Sequence, residues 1–93
     1  MRRSYRRFNE LRENAQEKLK GYGILEDQLT YAVIEIDMMH KQEVPEYKWI
    51  SVQSILNSCR THKAECDEGI FRASINKMTH EELKSLQRKI ELL

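Results

Sequence analysis

Between residues 5 and 22 the apolar side chains recur at intervals of three and four: Tyr5, Phe8, Leu11, Ala15, Leu19 and Tyr22. That spacing follows the 3.6-residue turn of an α-helix and lines up one apolar stripe. Arg6, Glu10, Glu13, Glu17 and Lys20 fall on the other side. The pattern predicts an amphipathic helix over about residues 3–20. Gly21 and Gly23 follow its last turn, where a residue without Cβ takes the left-handed cap at low cost.

The same period carries through the chain. Leu25, Leu29, Ala32, Val33, Ile36 and Met39 form one stripe of a second helix, placed at residues 26–42. Tyr31, Ile34 and Met38 form another stripe on the same helix. Val33 to Ile36 also alternates partly like a strand, but four turns of pattern exceed the ~5–6 residues of a typical strand. Pro45 breaks the helix, since it disfavours helical backbone at Val44. Ser51 is the expected N-cap of a third helix running to His62, with Val52, Ile55, Leu56 and Cys59 inward. Asp67 is the expected cap of a fourth, with Ile70, Phe71, Ser74, Ile75 and Met78 inward. Thr79 and Glu82 have capping-box spacing and open a fifth, with Leu83, Leu86, Ile90 and Leu93 inward.

The chain is therefore expected to be all-α, a single domain over residues 1–93, with about five short helices around the second. One proline and three glycines are too few turn residues for a many-stranded sandwich or barrel. A 93-residue chain supports one core. The expected core is Phe8, Leu11, Leu29, Val33, Ile36, Ile55, Leu56, Phe71, Ile75, Leu83, Leu86 and Ile90. The basic start, Arg2, Arg3, Arg6 and Arg7, is not followed by the apolar run of a signal peptide. No stretch reaches the roughly 18 apolar residues of a membrane span. These features suggest a cytoplasmic protein, no membrane partner, and reduced thiols at Cys59 and Cys66.

Few constellations point to chemistry. Cys59, His62 and Cys66 have close spacing, with His40 and His80 as further ligands, but no second close pair completes a zinc set. Cys59 and His62 could meet on one helical turn, yet a nucleophile also needs an orienting group, an oxyanion site and a pocket. Glu35 and Asp37 lie on different sides of their helix, and Glu81 with Glu82 suits a helix N-terminus. Glycine-rich phosphate loops and H-E-x-x-H are absent from the sequence. The expectation is no enzyme, no metal and no cofactor.

Charge and the second apolar stripe frame two functions. Sixteen Lys and Arg against fifteen Asp and Glu leave a net charge of +1, which argues against blanket binding to anionic polymers. The distribution is uneven: residues 1–20 hold seven cations and three carboxylates, residues 21–50 two cations and six carboxylates. A helix apolar on two sides in so short a chain suggests a partner surface, with Tyr31, Met38, Met39, Tyr47 and Trp49 as its adaptable and aromatic groups. The leading reading is a small intracellular regulatory or adaptor protein, non-enzymatic, that binds another protein or forms a homo-oligomer. The competing reading is a nucleic-acid-binding regulator. It would use Arg2, Arg3, Arg6 and Arg7 of the basic first helix, and Arg72 and Lys77 of a helix-turn-helix-like pair at 51–78. Asp67 and Glu68 at the start of the would-be recognition helix weigh against it.

Overall fold

The computed structural model describes residues 5–21, 23–61 and 69–93. Among these residues there are five α-helices, one 3-10 turn and no strand. Helix α1 (Arg6–Lys18) buries Phe8, Leu11 and Ala15, and Leu19 just beyond its end continues the buried stripe. Gly23 takes a φ of +107°, a backbone that disfavours a side chain. Gln28 holds this turn by donating its amide to the carbonyls of Gly21 and Gly23 at 2.6 and 3.3 Å.

Helix α2 (Leu25–Asp37) is the centre of the molecule and packs against α1 and against three later helices. Leu29, Ala32, Val33 and Ile36 are fully buried along its inner face. Thr30 is buried too, and its hydroxyl donates to the Glu26 carbonyl at 2.7 Å. Glu26 and Asp27 sit in the first turn, where their charge suits the helix dipole.

The helix stops five residues short of the expected Gln42. The amides of Met38 and Met39 bond to Glu35 and Ile36, a tightened last turn, and His40 is extended. A 3-10 turn, Lys41–Glu43, follows, and Val44 is extended as its proline neighbour requires.

Helix α3 (Glu46–Ser58) starts five residues before the expected cap at Ser51 and ends four before His62. Pro45 presets the entry with φ −53°, and its carbonyl accepts from the amides of Lys48 and Trp49. Proline near a helix start has no amide to leave unpaired, and Glu46 favours the dipole. These two outweigh a serine hydroxyl, so Ser51 is an exposed mid-helix residue.

Helix α4 (Ile70–Asn76) is entered through Gly69 at φ +83°. The expected Asp67 cap and the stretch 63–66 lie outside the described residues. Ile75, Ser74 and Ala73 are buried, whereas Phe71 is half-buried with the Arg60 guanidinium 5.7 Å from its ring. Phe71 is thus a shoulder of the core rather than part of its centre.

Helix α5 (His80–Glu91) opens with the expected capping box: Thr79 accepts from the Glu82 amide at 3.2 Å and Glu82 accepts from the Thr79 amide at 3.0 Å. Leu83, Leu86, Ile90 and Leu93 complete the core. At its far end Gln16 of α1 donates to the carbonyls of Ile90 and Glu91, both at 3.2 Å. Helix ends leave such carbonyls without partners of their own. One continuous cluster joins all the helices except α4's Ala73, from Phe8 to Leu93. Eleven of the twelve expected core residues are buried in it.

Candidate protein-binding surface

Helix α2 is apolar over more of its circumference than its neighbours cover. Tyr31, Ile34 and Met38 are 53, 44 and 41% exposed. Their spacing of three and four sets them in one line, about 10 Å long at 1.5 Å per residue. Ile24, also exposed, extends the line at its N-terminal end.

Charged pairs flank the strip. Near Tyr31, Arg72 of α4 donates to the Asp27 carboxylate, and its guanidinium stands 5.9 Å from the Tyr31 ring. The hydrogen bond to Asp27 raises the Arg72 pKa above its ordinary value, against a smaller opposing effect of burial. Near Met38, Arg60 bonds to Asp37 at 2.9 Å. Both pairs are substantially solvated, so each contributes little to stability.

The other expected partner residues do not gather here. Met39 is buried, 5% exposed, because it follows the inner stripe through Ile36. It is a core residue rather than a surface contact. Tyr47 is exposed on the first turn of α3, with the Lys48 ammonium 5.9 Å from its ring. Trp49 is half-buried against the core and lines a separate hollow with Lys41, Gln42, Val44 and Glu46. Ile34 is the member of the strip absent from the expected contact set. Its signal was its place between Tyr31 and Met38 on the second stripe.

The expected phosphate contacts are dispersed. Arg2 and Arg3 lie outside the described residues. Arg7 pairs with Glu10 at 3.6 Å, and Arg6 is also engaged within the chain. Arg72 is tied to Asp27, and Lys77 is the C-cap of α4. Of the helix-turn-helix-like pair expected at 51–78, α3 ends at Ser58 and the seven-residue α4 begins at Ile70, and the connection over 62–68 lies outside the described residues.

A polar cleft of about 290 Å³ brings Lys77 and Lys89 near the hydroxyls of Ser58 and Ser85. The C-terminal ends of α3 and α4 and the Glu82 carboxylate border the same cleft. Their negative character offsets the lysines, so the cleft is a poor anion site.

Cys59 is fully buried, and burial pushes its thiol up to about 11, with Lys89 and Arg60 acting weakly the other way. A thiol so rarely ionised is a core group and a poor nucleophile. His62 and Cys66, the rest of that constellation, lie outside the described residues. Among the described residues no group of three or more His, Cys, Asp or Glu is placed to hold a metal ion. None of the described helices is long and apolar enough to cross a membrane.

Comparison of the chain with protein-family models, with curated proteins and with solved structures finds no match.

Proposed function

We propose that this chain is a non-enzymatic regulatory or adaptor domain of the cytoplasm that works by binding protein through the outer strip of α2. The supporting observation is the contrast within that helix. Its inner face is completely covered, while Tyr31, Ile34 and Met38 present aligned apolar and aromatic surface to solvent. Single exposed apolar residues are ordinary, but three in line between charged pairs have the layout of an interface centre with a polar rim.

Affinity capture from source-cell lysate tests the reading, run with and without nuclease and with Met38→Asp beside the wild type. Capture should survive nuclease and be lost in Met38→Asp while circular dichroism stays unchanged, because a carboxylate costs little in water and much in a dry interface. Capture abolished by nuclease, or indifferent to Met38→Asp, counts against it. Duplex DNA should bind more weakly than about 100 μM at physiological salt. Micromolar binding that disappears when Arg2, Arg3, Arg6 and Arg7 become Ala would instead favour a nucleic-acid regulator.

A further inference from the structure

We draw no further inference here: the strongest candidate, the exposed apolar face of α2 with Tyr31, Ile34 and Met38, is the surface already described, and nothing in the structure shows what covers it.

Discussion

Ile36 and Ile34 are two residues apart on one helix and have the same side chain, yet one is fully buried and the other 44% exposed. The inner face of α2 is roofed by α1, α3, α4 and α5, whereas the outer face is only flanked, with the Arg72 guanidinium beside Tyr31. Hydrophobicity alone therefore does not assign a residue to stability or to recognition. The deciding quantity is the cover that the rest of the chain supplies. A short chain has little surface to spare for cover, so a helix apolar on two sides is left with one side exposed.

The most forceful way to break this contrast is to truncate the covered side. Ile36→Ala should destabilise by about 2–5 kcal/mol, by lost transfer energy and the cavity left behind. Leu56→Ala on α3 should cost a similar amount. Thermal or urea unfolding reads both, and unchanged midpoints would show that the inner face has been misassigned.

The buried thiol sharpens the contrast next. Cys59 packs in the same cluster as Ile36, and its thiol is raised to about 11 by burial. The unfolded chain ionises it near the usual 8.5–9. Between these values the unfolded state releases a proton that the folded state keeps, so stability is full below about pH 8.5 and falls as the pH rises toward 11. Cys59→Ala should flatten that decline. A decline unaltered by the substitution would place its cause elsewhere.

A smaller effect comes from Thr79→Ala, which removes a helix cap without touching either face of α2. It should cost about 1 kcal/mol. The smallest change is Ile34→Ala, expected within about 0.5 kcal/mol of wild type as for other solvated positions. A loss as large as that of Ile36→Ala would mean that the outer face is covered within the monomer.

Features set by neighbouring residues were legible before the structure. The α5 start is one, because Thr79 and Glu82 satisfy each other's amides within a single turn. The α1 and α5 stripes are others, since both helices have one apolar side and one possible orientation. The end of α2 and the start of α3 were not, because two local preferences competed there. Ser51 offered a hydroxyl cap, while Pro45 and Glu46 offered a preset backbone and a favourable charge, and the latter prevailed. Phe71 was misplaced because a two-turn helix reaches the core with only part of its apolar stripe. The strip itself was half legible. Periodicity separated Tyr31, Ile34 and Met38 from Ile36 and Met39. Aromatic and methionine content alone wrongly added Met39, and added Tyr47 and Trp49, which stand on another helix.

The bonds from Gln16 to the end of α5 join residues 74 and 75 positions apart. Closing a loop of that length costs more entropy than any pairing of consecutive helices, although the cost grows only with the logarithm of length. The roof over α2 thus combines the local pairing of α1 with α2 and a distant hydrogen-bonded clasp between α1 and α5. Contacts made after the rate-limiting step govern how fast a protein comes apart rather than how fast it forms. If the Gln16 clasp is such a late contact, Gln16→Ala should speed unfolding and leave the folding rate unchanged.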